Sequence, residues 1–282
     1  DIPRFCTALA DWLACLIYIK FYLPPRFGGW KRKAFHAAAL VLLSVYLVAT
    51  DGHDGIAFNL FYSGSIALML LFFRTATKGD WMQCIFFCSR SVVLAGFAAS
   101  LTWQLYVYFA PGFPILQSFW ALGLFVCLCY AGIFLLDGWL DSQQAPESVD
   151  FQISPRTAVN AAIIALVIYV LSSISYTGVD TPFTASGRME IYAARSIVYF
   201  GGVALLMAYQ SQICDLLTQR EADALRNMLH IQYENYKMRQ ESIDLINRKY
   251  HDLKHQIAIL RSETPSSRTQ ILDQMEQEIK SY

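Results

Sequence analysis

Apolar residues gather in seven long runs along this chain, at 6–23, 34–50, 56–73, 82–109, 114–136, 157–177 and 191–213. A helix rises about 1.5 Å per residue, so crossing the hydrocarbon core of a bilayer takes about 20 apolar residues. Each run approaches or exceeds that length. The breaks between them hold helix-stopping residues: Pro24-Pro25-Arg26-Phe27-Gly28-Gly29, Asp51-Gly52-His53-Asp54-Gly55, Pro111-Gly112-Phe113-Pro114 and Thr177-Gly178-Val179-Asp180-Thr181-Pro182. Proline lacks the amide donor that a helix needs, and glycine tolerates the backbone angles of a turn.

Beyond residue 214 the pattern changes. Steps of four and three alternate through Leu225, Leu229, Gln232, Tyr236, Arg239, Ile243, Ile246, Tyr250, Leu253, Ile257 and Leu260. This is a two-position seam over five heptads, the pattern of a parallel coiled coil, interrupted by polar Gln232 and Arg239. Ser262-Glu263-Thr264-Pro265-Ser266-Ser267 predicts the end of that helix. A second amphipathic helix is predicted over 268–279, with Ile271, Leu272, Met275 and Ile279 on one face. Two helices and a short turn form a hairpin, and two hairpins from two copies form a four-helix bundle. The expected fold is therefore all-α: a polytopic bundle of about seven transmembrane helices at 1–213, a coiled-coil linker at 214–240, and a helical-hairpin dimerisation domain at 241–282.

Composition strengthens the membrane reading. Hydrophobic residues make up 55% of the 282, charged residues 16%, and mean hydropathy is +0.36. Soluble domains carry about 25% charged residues. Residues 214–282 hold 10 Lys/Arg and 11 Asp/Glu, nearly half of the 44 charges, which marks a boundary between membrane and aqueous parts. Net charge is zero, so nothing points to nucleic acid.

Lysine and arginine placement predicts orientation, because cytoplasmic loops collect them. With the C-terminus inside, inner loops carry Arg26, Lys31, Arg32, Lys33, Arg74, Lys78 and Arg156, and outer segments carry Arg4 and Arg188. The expectation is a multi-pass bacterial cell-membrane protein with a cytoplasmic C-terminus. Lys20 and Arg90 are expected near inner span ends, reaching for headgroups; Asp11 and Arg195 are expected toward outer ends. Outer loops are too short for a folded external domain. Trp103, Tyr106, Tyr108, Phe109, Phe113, Tyr176 and Phe183 read first as an interfacial belt, second as the mouth of a site for a hydrophobic or peptide ligand. Arg195 needs a partner such as Asp11, Glu190 or an anionic ligand, which makes these three residues candidates for ligand binding or coupling. Asp51, His53 and Asp54 read as a solvated turn, and His36 as a buried, hydrogen-bonded histidine. The seven cysteines, with no CxxC pair, read as small apolar residues, so no metal site is expected.

The candidate chemistry lies at His251-Asp252, just after the seam residue Tyr250. An imidazole beside the seam is accessible, and a neighbouring carboxylate can hold one ring proton and leave the other nitrogen nucleophilic. Taken alone, such a pair reads as ordinary solvated residues. Its context is more specific: many spans, an exit helix without proline or glycine, a seam, the pair, a turn and a second helix.

KYHDLKHQIAILR resembles the phosphoacceptor box of sensor histidine kinases with a GHKL-type ATPase domain. The nearest group is the multi-span Gram-positive kinases of the accessory-gene-regulator type, many of them peptide-pheromone receptors. In that box an Arg-His-Asp tripeptide precedes apolar residues. His251 matches the phosphorylated histidine and Asp252 its acidic neighbour. Tyr250 stands in place of the usual Arg, and Lys254-His255 differ from the Asn often found downstream. The resemblance covers about 240–282; over the membrane part it is one of layout.

It implies a homodimeric protein-histidine kinase of a two-component system, detecting an extracellular peptide or small hydrophobic ligand and passing phosphate from His251 to a response regulator. It also implies ATP and Mg²⁺, bound by a separate domain. The chain begins with Asp1 and ends at Tyr282, and no nucleotide box occurs in it, so it is expected to be a trimmed piece, inactive alone. The alternatives are a transporter or channel, or a non-catalytic receptor, with a cytoplasmic dimerising helix.

Overall fold

The computed structural model describes residues 2–52, 56–144, 153–174 and 187–262. Among the described residues seven α-helices follow one another: α1 (Arg4–Phe21), α2 (Gly29–Ala49), α3 (Ile56–Ala76), α4 (Trp81–Phe109), α5 (Phe119–Gln144), α6 (Pro155–Ser173) and α7 (Arg188–Ser262). A short 3₁₀ turn, Pro114–Gln117, precedes α5. The described residues include no named strand. By length and composition, six of the helices are able to cross a membrane; α1, with Arg4, Asp11 and Lys20 in 18 residues, falls outside that group.

The helix starts follow their local chemistry. Asp80 opens α4 with a capping box: its side chain accepts from the Gln83 backbone N–H, and the Gln83 side chain accepts from the Asp80 backbone N–H at 2.9 Å. Ser154 caps α6 by accepting from the Thr157 N–H, with Pro155 at the first helical position, where its missing donor costs nothing. The turn after α1 is tied to the end of α3. Arg26 N–H donates to Ala76 O at 2.9 Å, and Lys78 N–H donates to Pro24 O at 3.0 Å.

The chain divides into two compact units, Asp1–Asp215 and Leu216–Tyr282. In the first, α4 is the central helix. It packs against α1, α3, α5 and α6, and 83% of its apolar span is buried, against 11% for α2 and 17% for α5. Ser91, Ala95, Gly96, Ala98, Ala99 and Ser100 make its surface thin enough for neighbours to come close. The Tyr199 ring of α7 lies where a side chain on Gly96 would be, and Gly202 of α7 meets Ile168 of α6 and Val93 of α4 in the same way.

Two expectations change. The fifth run was read as ending at residue 136, but α5 continues to Gln144 and so carries Asp137 and Asp141 into the bundle. Arg90 does not reach toward headgroups. It is 3% exposed, buried against the neighbouring helices.

In the second unit, α7 is described to Ser262; the turn expected after it and the second helix predicted at 268–279 lie outside the described residues. Leu225, Leu229, Tyr236, Ile243, Ile246, Tyr250, Leu253 and Ile257 are all exposed along it.

Candidate functional site

Two places in the chain carry chemistry. The first is the predicted one. His251 and Asp252 are consecutive residues of α7, and both side chains are exposed. The imidazole therefore meets the accessibility requirement of an acceptor. Consecutive helical residues point about 100° apart, so one is not stacked above the other.

The second was not anticipated. Arg90 of α4 forms an ion pair with Asp141 of α5, Nη2 to Oδ1, at 3.2 Å, with side-chain exposures of 2% and 0%. Its other terminal nitrogen, Nη1, donates to Oε1 of Gln210 on α7. The Gln210 amide in turn donates to the Tyr22 hydroxyl of α1. Tyr22 reaches the Asp141 backbone carbonyl at 3.4 Å. Beneath these, the guanidinium sits 4.6 Å from the Tyr18 ring centre, a cation–π arrangement, and Tyr18 OH donates to Asp137 Oδ2 at 3.3 Å. Phe87 stacks on both Tyr18 and Tyr22 beside the cluster.

Four helices thus meet at one guanidinium. Asp137 and Asp141 are four residues apart, so they share one face of α5 and address the same space. An ion pair removed from water repays its desolvation only when further hydrogen bonds satisfy its remaining groups. Gln210 supplies one to the guanidinium and the Tyr18 ring faces it, while Asp141 Oδ2 is buried with no hydrogen-bond partner among the described residues. The signal was present in the sequence as one cation inside an apolar run and two carboxylates just past the end of another, but hydropathy alone reads such residues as span ends.

Asp11 is fully buried on α1. It accepts a long 3.5 Å hydrogen bond from Tyr62 OH, and its Oδ2 accepts none. Tyr62 stacks on Tyr169 at 5.2 Å, and Tyr169 OH donates to Asn59 at 2.7 Å. Arg195 is half-buried on α7, within electrostatic reach of Tyr62 and Tyr169. Glu190 is exposed and accepts from the Gly187 N–H at 3.4 Å, the place of a carboxylate at a helix start. Arg195 thus lies among tyrosines, while Asp11 and Glu190 take hydrogen bonds elsewhere.

Asp51 pairs with Arg4 at 3.0 Å, while His53 and Asp54 lie outside the described residues. His36 meets Phe72 edge-on at 5.6 Å, and its buried Nδ1 has no hydrogen-bond partner. Among the described residues no group of three or more His, Cys, Asp or Glu is placed to hold a metal ion.

Comparison with protein-family models, with curated proteins and with solved structures finds no match.

Proposed function

We propose that the chain is the sensing and phosphate-accepting part of a membrane histidine kinase, with His251 as the acceptor and Asp252 as the group that orients it. The observation that carries this reading is the exposed His251-Asp252 pair on α7, a helix with no proline or glycine from Val203 to Ser262. The resemblance of KYHDLKHQIAILR to the phosphoacceptor box supports the same assignment.

On this reading, residues 1–213 lie in the bacterial cell membrane with the C-terminus cytoplasmic, and the exposed apolar seam of α7 pairs with a second copy. A peptide or small hydrophobic ligand acts on the bundle, and α7 transmits the change. ATP and Mg²⁺ are bound by a domain outside this sequence, and an aspartate of a response regulator removes the phosphoryl group. The imidazole nitrogen attacks the γ-phosphorus as the bond to the β-bridging oxygen breaks, and ADP leaves with that electron pair. The Arg90–Gln210 bond offers a place where the bundle holds α7.

The test is full-length protein in nanodiscs with Mg-ATP. Acid-labile phosphate is expected on the wild type and absent from His251→Ala. Label on His251→Ala at the wild-type level would sink the assignment.

A transport protein is the second reading. Buried ionisable residues inside apolar helices often mark ion or solute pathways, and Asp11, Arg90 and Asp141 are of that kind. Solute or ion flux into liposomes holding the purified protein, lost in Arg90→Met, would favour it over the kinase.

A further inference from the structure

The buried centre between α1, α4, α5 and α7 does not balance its charge. Among the described residues its acids are Asp137, 5% exposed, and Asp141, 0% exposed, and its one cation is Arg90, 3% exposed. Tyr18 and Tyr22 of α1, Gln210 and the thiol Cys214 of α7 complete the polar groups facing it, and none of them brings a positive charge. With both carboxylates ionised the enclosed centre would hold a net charge of −1. In a medium that screens poorly, an uncompensated charge is expensive, and two neighbouring carboxylates resist ionising together.

The geometry distinguishes the two acids. Asp141 touches the guanidinium at 3.2 Å and is the ion-pair partner. Asp137 has the Tyr18 hydroxyl at 3.3 Å. A carboxylic acid is compatible with a hydroxyl neighbour, because each group can both donate and accept.

We propose that this centre is a proton-binding site: Asp137 carries one proton, taken from the aqueous phase, and Asp141 stays ionised as the partner of Arg90. Loss of that proton turns Asp137 into a second anion competing for Arg90. The guanidinium is then drawn from Gln210, the polar contact that α7 makes with it. Proton occupancy on α5 is thereby linked to the hold on α7. The site is independent of the His251 reading, since it concerns groups in the first unit alone.

The experiment is infrared spectroscopy of the full chain in nanodiscs across a pH titration, in H₂O and in D₂O. A protonated-carboxyl C=O band is expected, with the arginine guanidinium stretch shifting at the same pH. Asp137→Asn, nearly identical in size, should remove one carboxyl from that band and abolish the linked guanidinium shift. Asp141→Asn should remove it too, because Asp137 then becomes the only anion for Arg90. Asp11→Asn, at another buried acid, should leave the guanidinium shift intact. If Asp137→Asn folds poorly, Tyr18→Phe supplies the check, as loss of the hydroxyl should move the C=O frequency without removing the band. An Asp137→Asn or Tyr18→Phe spectrum identical to wild type overturns the proposal. So does a band that responds to sodium concentration at fixed pH, which would make the counter-charge a metal cation.

Discussion

Arg90 of α4 donates a hydrogen bond to the side-chain oxygen of Gln210 on α7, and both side chains are buried. Gln210 also satisfies Tyr22 through its amide. Gln210→Leu keeps the bulk and removes both bonds. A buried group left without its partner costs about 1–3 kcal/mol. We expect a lower thermal midpoint for the helical signal in nanodiscs and, in full-length protein, a changed level of autophosphorylation. An unchanged midpoint would mean that water replaces the amide.

The ion pair itself is tested by a mutant cycle. Arg90→Met should be the most damaging change in the bundle, because it leaves Asp141 buried without its cation; the typical cost is about 3–5 kcal/mol. Adding Asp141→Leu should recover most of that loss, since a well-packed apolar pair often equals a buried ion pair. Circular dichroism melts of the wild type, both single variants and the double variant give the coupling directly. Additive losses would contradict the pairing.

Neighbouring glycines on α7 should behave oppositely. A methyl on Gly202 would meet Ile168 Cδ1 at 2.6 Å and Val93 Cγ1 at 3.0 Å, whereas one on Gly201 meets nothing within 4 Å. Gly202→Ala should destabilise by about 1–3 kcal/mol through overpacking. Gly201→Ala should be neutral or stabilise by up to about 1 kcal/mol, because alanine is the better helix former. Thermal melts of the two variants side by side decide it.

Asp252→Asn retains size and removes charge. If Asp252 orients the His251 imidazole, autophosphorylation should slow roughly ten- to a hundred-fold, by analogy with the loss seen when the partner orienting a metal-bound histidine is removed. Phosphate on His251 should remain detectable, and helicity should not change. A rate equal to wild type would make Asp252 a bystander.

Much of the fold is legible in the chain because apolar runs and helix breakers coincide. The run at 82–109 becomes α4 almost residue for residue, since Asp80 caps it and Pro111-Gly112 follow it. The failure at α5 is physical rather than accidental. Asp137 resembles the end of a span when its neighbours along the chain are the only ones considered, yet its real neighbours are Tyr18, 119 residues away, and Asp141, whose ion-pair partner Arg90 is 51 residues from it in the chain. Nor does hydropathy reveal which helix is central. The span in α5 is more apolar than that in α4 yet far less buried, and only the small residues from Ser91 to Ser100 hint that α4 is surrounded. His251 was legible as an exposed helical residue; its chemistry rests on resemblance.

The pairing of Arg90 with Asp141 also bears on how the chain is made. Ribosomes add about 5–20 residues per second, so the 51 residues separating the partners take about 3–10 s to synthesise. Inserting an arginine or aspartate at the centre of an isolated helix costs about 2.5–3.5 kcal/mol. For a bundle built into a bilayer, α4 emerges with its cation before its anion exists. It gains by waiting at the translocon, beside α1, until α5 arrives. On that route a chain interrupted before Asp141 should be retained there or degraded, while one that passes it should leave with α4 and α5 already joined.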